Sequence, residues 1–493
     1  MEEFTANAKK EKEIVRKVRK KFKRWKIGRW IVLLFVAIIA LMMPGMLSAC
    51  GGGWRTTSMP TPAPTQIRER VKTVIAGASD SFVIMEDGSL WVWGKETLVS
   101  GEGGTVWDVE VRHRHIETLN DVVAVTSGQS NTMALTSDGI LWAWGSDVYA
   151  LPGIHSISGI SVSDASVSIP VRIMDDVIAM SANKLRAAAL KSDNTLWAWE
   201  HPFRVDIDDD TENRSNPKIV MGDVAAVFMG ADRLDIMMIT SDNTLWAWDG
   251  LFHSDVDDFG NAIRTILPSR IDRVMDDVRS VSVGHQDSTM ILGSDGTLWD
   301  WAGDFDLSPN EDYTIWNQYP ILDRVLDDVV TVSSNNDRTM AITSDGVLWA
   351  WGSNSQGQLG DGTKNDRDNP VKIMNDVIDV SIGAHHTMAI TADGALWAWG
   401  SNQSGLQAGW LGDGTMTSRR SPTRIIDNII CVSAGSYHSM AIAADGSLWA
   451  WGDNTYGQLG TGTNRGEREQ RPYRGLLPST WLRPIIILEY TSE

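Results

Sequence analysis

Cysteine is nearly missing from this chain. Cys50 and Cys431 are the two in 493 residues, and so few do not make a disulfide framework. Histidine is sparse as well. Nine are scattered, only His385 and His386 adjoin, and no cysteine or carboxylate stands near them at ligand spacing. That pair reads as a turn position facing water or backbone, and no metal is expected. There is no glycine loop of the phosphate-binding kind and no Gly-any-Ser-any-Gly elbow. No catalytic constellation emerges, and no cofactor is implied. Basic residues are scarce beyond the first 29, which hold twelve Lys/Arg against four Glu, about +8. Taking that from the net charge of −19 leaves about −27 for the remainder. A body so acidic repels phosphate backbones, which excludes nucleic acid as its partner.

A single long uncharged apolar run is present, residues 30–43. It follows the basic residues 1–29 and precedes Pro44, Gly45 and Leu47-Ser48-Ala49-Cys50. A basic segment, a short apolar segment and a small-residue site make an export signal. Leu47 to Cys50 resembles the bacterial lipobox, which makes Cys50 the expected lipid-attachment residue. An uncleaved anchor helix over residues 30–49 is the alternative, since twenty uncharged residues just span a bilayer. Both readings keep the basic end in the cytoplasm and put the body outside it, at the cell membrane. Residues 51–63 are a flexible tether.

The rest of the chain repeats. Leu-Trp-any-Trp occurs eight times, beginning at Leu90, Leu141, Leu196, Leu245, Leu298, Leu348, Leu396 and Leu448. A period near fifty residues is one supersecondary unit copied, and each copy needs neighbours to bury its apolar faces. In the copy from Pro370, an outer strand at 370–373 leads to the Asn375-Asp376 turn. Alternating residues 377–383 then make a strand, 387–391 another, and 396–399 the last. Asp393-Gly394 reads as a two-residue hairpin turn with both centres at positive φ. Every copy keeps that turn, with Asn for Gly at Asn194 and Asn243. The eight Asp are therefore turn residues rather than a ring of ligating carboxylates. Sixteen of the 23 Trp lie in the repeated strands, where recurrence at one position means packing rather than sugar stacking.

The expected fold is all-β. It is a β-propeller of four-stranded antiparallel blades over residues 64–470, with a C-terminal tail, 471–493. Eight blades follow from eight copies. Residues 64–71 match the spacing of residues 370–377, so this N-terminal strand should complete the last blade beside Trp449 to Trp451. The apolar stretch from Trp481 to Leu488 is a rival for that place.

The later copies resemble the regulator of chromosome condensation repeat family. Gly357-Gln358-Leu359-Gly360 and Gly457-Gln458-Leu459-Gly460 match its signature, Trp410-Leu411-Gly412-Asp413-Gly414 carries it after an insertion, and His386-Thr387 and His438-Ser439 resemble its His-Thr pair. The resemblance covers about residues 64–463 and implies a propeller; the best-known members have seven blades, the alternative to eight. It implies no one function. The family includes a nuclear GTPase exchange factor, ubiquitin-ligase modules, a plant light sensor and a secreted β-lactamase inhibitor. Light sensing needs clustered Trp outside the framework, and Trp107, Trp316 and Trp410 are scattered.

Copies three to five drop the glycine signature and gain acidic, aromatic loops after their last strands: residues 201–216, 250–269 and 303–319. Phe203, Phe252, Phe259 and Trp316 are candidate anchors there, and Asp208, Asp210, Asp257 and Asp306 candidate steering charges for a basic partner. The stretch from Asp206 starts like a calcium loop but has Thr211 where glycine is needed and Pro217 where glutamate is needed. The expected function is a membrane-anchored, monomeric, non-catalytic scaffold binding a protein or glycan. A glycan hydrolase or lyase would need two carboxylates converging on the axis, and the innermost strands hold few acids. An exchange-factor role contradicts the N-terminus.

Overall fold

Each copy supplies β-branched and aromatic residues in short runs punctuated by Asp-Gly or Asp-Asn and by a second turn built on Asp or Asn, so its short strands fold back on one another. The computed structural model describes residues 65–67, 70–77, 79–94, 114–115, 119–127, 131–145, 167–183, 186–200, 217–230, 236–248, 253–256, 262–265, 271–284, 289–301, 322–335, 338–404, 407–461 and 480–490. They form an all-β propeller of eight four-stranded antiparallel blades. Blade 7 serves as the pattern. Its strands, from the axis outward, are Val377–Ile382, His386–Thr391, Leu396–Gly400 and Arg419–Ile426. Innermost strands of successive blades pack against one another from blade 2 round to blade 8, and those of the last and first blades meet.

The sequence copy and the structural blade are offset by one strand. The strand Arg367–Met374, read as the start of its copy, pairs with Leu348–Gly352 of the copy before it. Ring closure also differs from the expectation. The C-terminal strand Thr480–Tyr490 takes the outer place of blade 8 beside Leu448–Asp453, so the segment read as a tail belongs to the ring. The N-terminal strand Thr65–Ile67 pairs with its far side, in parallel, as a fifth strand. An eleven-residue apolar strand offers more ladder than a three-residue one, and the closing place goes to it.

The hairpin turn is a three-residue loop rather than a two-residue one. In blade 1, Gly88 N donates to Met85 O at 3.0 Å and Met85 N to Ser89 O at 3.0 Å. Only the Gly or Asn takes positive φ, +83° at Gly88 and +65° at Asn194; the Asp does not. This is a type I turn closed by one left-handed residue. A second left-handed position lies between blades, at Asp176 (+61°) and Asp376 (+58°) for example. The two turns join blades. Val377 N donates to Gly346 O of the preceding blade at 2.9 Å, and Ala392 N to Asp376 O at 2.8 Å. Both lie on one side of the ring, the turn face. The connections from first to second strand and from third to outer strand lie on the other, the loop face.

Within a blade, Leu396 and Ala398 face blade 8, packing with Ile429, Val432 and Trp451, while Trp399 packs toward blade 6 with Leu348, Ala350 and Leu359. The same division recurs at the other seams. In every blade the second Trp of the motif is buried and the first is half-buried. Both are packing residues, as their recurrence requires. No helix among the described residues is long and apolar enough to cross a membrane. Residues 1–64, with Cys50 and both anchor readings, lie outside the described residues.

Candidate functional site

The repeated polar residues are engaged in the framework. In all eight hairpins the Asp carboxylate accepts from the backbone N–H two residues on, at 2.8 Å for Ser89 and 2.9 Å for Ser447. Thr hydroxyls add to this: Thr136 donates to Asp138 at 2.6 Å and Thr391 to Asp393 at 2.5 Å. These hydroxyl bonds hold both carboxyls below the usual range. They act as turn locks.

On the loop face the glycine signature seals the seam to the next blade. Gln358 O accepts from Trp399 Nε1 at 3.0 Å and from Thr387 Oγ1 at 2.9 Å. In blade 7, Trp410 stands at the glutamine's place, and its carbonyl accepts from Trp451 Nε1 and Ser439 Oγ at 2.9 and 2.8 Å. A methyl group on Gly360 would lie 2.6 Å from the Trp399 nitrogen, and Gly360 has φ +85°. Only glycine satisfies both conditions.

The histidines differ from expectation. His386 and His438 are wholly buried. His386 Nε2 lies 2.8 Å from Ser439 Oγ, and His438 Nε2 lies 2.8 Å from Ser81 Oγ, each bond crossing to the next blade. Burial drives both imidazoles down to about 3, so they are neutral. His385 is half-buried and stacks on Trp410 and Tyr437, with centroids 5.6 and 5.7 Å apart. Its ring is engaged with these two aromatic rings. Among the described residues no three His, Cys, Asp or Glu are placed to share a metal ion.

Arg338 was not singled out in the sequence. It stands ten residues before Leu348, as His386 does before Leu396, so its alignment was a readable signal. Its guanidinium donates to three carbonyls of blade 7: Ala384 at 3.2 Å, His386 at 3.3 Å, and Gly383. Asn335 adds a bond to Gly383 O at 3.0 Å. Asp300 was missed too. It replaces the Ala of Leu-Trp-Ala-Trp and lies directly opposite Asp323 on the outer strand. Desolvation, with the Asp323 charge, raises its carboxyl to about 6. Asp379 is the one carboxylate in the eight innermost strands and is raised to about 6 by burial. A single acid there does not supply the pair a glycosidase needs.

The eight candidate partner residues, Phe203, Asp208, Asp210, Phe252, Phe259, Asp257, Asp306 and Trp316, all lie outside the described residues. Their loops leave from the loop face, the side that carries the glycine signature in blades 6 to 8. One of the loops holds a small hairpin, His253–Val256 paired with Ala262–Thr265.

Blade topology and these seams meet a direct match. The RCC1-like domain model matches residues 164–481, and the regulator of chromosome condensation (RCC1) repeat model matches residues 122–150. The chain belongs to the RCC1-like propeller family. Among curated proteins it is 28% identical over 123 residues to the mitochondrial RCC1 domain-containing protein RUG3 of Arabidopsis thaliana, covering 24% of this chain and 26% of that one. It is 41% identical over 56 residues to human Alsin, 10% of this chain and 3% of Alsin. The matched stretches thus span about a quarter or less of these relatives. Among solved structures, Prp20p of Saccharomyces cerevisiae is similar at 18% identity and TM-score 0.49, covering 85% of this chain and 87% of Prp20p. Human WBSCR16 is similar at 16% and 0.47, covering 72% and 99%.

Proposed function

We propose that this RCC1-like propeller is a non-catalytic binding scaffold. Its N-terminal segment holds it at the cell membrane, through lipid on Cys50 or as an uncleaved helix, with the propeller outside the cytoplasm. The loops after the third strands of blades 3 to 5 engage the partner. One observation carries the reading. The polar groups of the repeat are used within the framework, while these three loops have left it and the strands around them have not. A loop free of framework duty accepts recognition residues at little cost in stability. Prp20p is described by its binding to Gsp1p and histones. Neither partner is carried over, because this chain has its own loops there and a basic, apolar N-terminus. A protein or a glycan fits the aromatic and acidic residues of these loops, and their charge favours a basic partner. Among the described residues the innermost strands carry one carboxylate, Asp379, where the enzyme reading needs an axial pair.

Two experiments test this. The regular connection of blade 6, residues 353–366, is grafted into each of the three loops of the full chain, and binding to envelope components is measured. Folded grafts should lose binding; grafts that bind as the parent does overturn the loop assignment. Cys50→Ala should block processing and lipid labelling. Unchanged mobility and labelling would favour the uncleaved anchor.

A further inference from the structure

Six large apolar side chains are strongly exposed among the described residues, and four of them occupy one structural position. Ile178, Val330, Ile378 and Ile430 are 46%, 38%, 60% and 59% exposed. Each is the second residue of an innermost strand. The pairing register slips between the first and third residues of that strand in all eight blades, so the second residue is supernumerary. A bulge turns such a residue away from the ladder. It stands at the start of the strand closest to the axis, beside the hairpin turn of the preceding blade, and therefore at the axial mouth of the turn face.

The fold does not require an aliphatic residue there. Lys72 and Arg279 hold the same position in blades 1 and 5, while blade 4 has Ala225 and blade 2 a half-buried Val123. Yet blades 6, 7 and 8 present Val330, Ile378 and Ile430 in succession, an apolar arc bounded by Arg279 at one end and Lys72 at the other. Around it the turn face is acidic. The left-handed turn residues next to the arc include Asp277, Asp328 and Asp376, and the hairpins add Asp345 and Asp393. The outer Arg residues of this face are taken by its turns: Arg324 bonds Asp327 at 2.6 Å, and Arg424 bonds Asp427 at 2.7 Å and also reaches Asp393 at 3.7 Å, which leaves Asp277, Asp328 and Asp376 as the acids beside the arc.

Charge selects the occupant. A second copy meeting it face to face would bring acid onto acid, and an anionic bilayer or polyphosphate would be repelled likewise. We propose that the turn face docks a cationic protein segment whose aliphatic side chains cover the Val330–Ile378–Ile430 arc. Its lysines and arginines reach outward to the Asp turns, kept off the axis by Arg279 and Lys72. This second surface lies on the opposite side of the ring from the diverged loops and does not depend on their role.

The test uses the purified full-length chain and three labelled fourteen-residue peptides, alternating Leu-Lys, Leu-Glu and Ser-Lys, followed by fluorescence anisotropy. The Leu-Lys peptide should bind, more weakly as salt is raised, and the other two should not. Ile378→Ser with Ile430→Ser should weaken binding about tenfold or more at an unchanged melting temperature. Asp328→Asn with Asp376→Asn should weaken it about fivefold or more while keeping the turn, because asparagine tolerates the left-handed region and Asn428 already occupies the equivalent place. Absence of Leu-Lys binding overturns the proposal. So does binding that the serine variant leaves unchanged, or equal binding of Leu-Glu or Ser-Lys. The loop-grafted chain should bind the Leu-Lys peptide as the parent does, which separates failure here from failure of the loop assignment.

Discussion

His438 Nε2 in the last blade lies 2.8 Å from Ser81 Oγ in the first, 357 residues away in the chain. The same bond joins His386 to Ser439 one seam earlier, at the same length. The ring thus closes with the bond that joins blades 7 and 8. Ser81 Oγ goes on to donate to Gln458 O at 2.7 Å, so the last glycine loop is fastened to the first blade as well.

Acid should loosen that closure. Both imidazoles are held neutral, at about 3 in the fold against an ordinary 6.5. Between these values the unfolded chain binds protons that the folded chain does not. Their contribution is therefore complete above about pH 6.5 and is lost as pH falls toward 3. His438→Gln should lower the melting temperature at pH 7.5 and flatten its decline between pH 6.5 and 4.5. A decline as steep in the variant would show that His438 does not drive it.

Removing residues 480–493 should harm the ring more than removing residues 1–69. The first exposes the edge of Leu448–Asp453, whereas the second takes away, among the described residues, the short parallel strand Thr65–Ile67. Thermal melts of the two truncations decide it, and equal losses would refute the order of closure.

Gly360→Ala should destabilise the chain by about 1 kcal/mol or more, through its positive φ and the approach to Trp399. Trp399→Ala should cost about 3–5 kcal/mol, the range for emptying a core of a large aromatic. Ile378→Ser, exposed, should stay within about 0.5 kcal/mol. Denaturant midpoints rank the three.

Asp300→Ala should stabilise, because alanine stands there in most other copies and faces the next blade. A carboxyl raised to about 6 from 3.8 favours the fold when protonated. Its penalty therefore grows as pH rises from about 4 through 6 and is full above. The gain in melting temperature should be larger at pH 8 than at pH 5. Equal gains would place the effect in packing rather than charge.

Local chemistry made much of this protein legible in its sequence. Leu-Trp-any-Trp with Asp-Gly five residues ahead of its second Trp dictates a hairpin with two faces to bury, and eight copies dictate eight blades, because each unit can satisfy its faces only against another like it. The assignment of the repeated Asp and Trp to framework follows from that chemistry and holds. Pairing across distance was not legible. The strands at 65–67 and 480–490 are both β-formers for the same place, and only the available ladder decides between them. His386 stands in a segment that reads as a turn; its burial, like that of His438, comes from the neighbouring blade, which no local pattern encodes. The bulged Ile378 and Ile430 read in the sequence as ordinary members of alternating strands. Their exposure arises from one extra residue in a register, and register is a property of two strands rather than one.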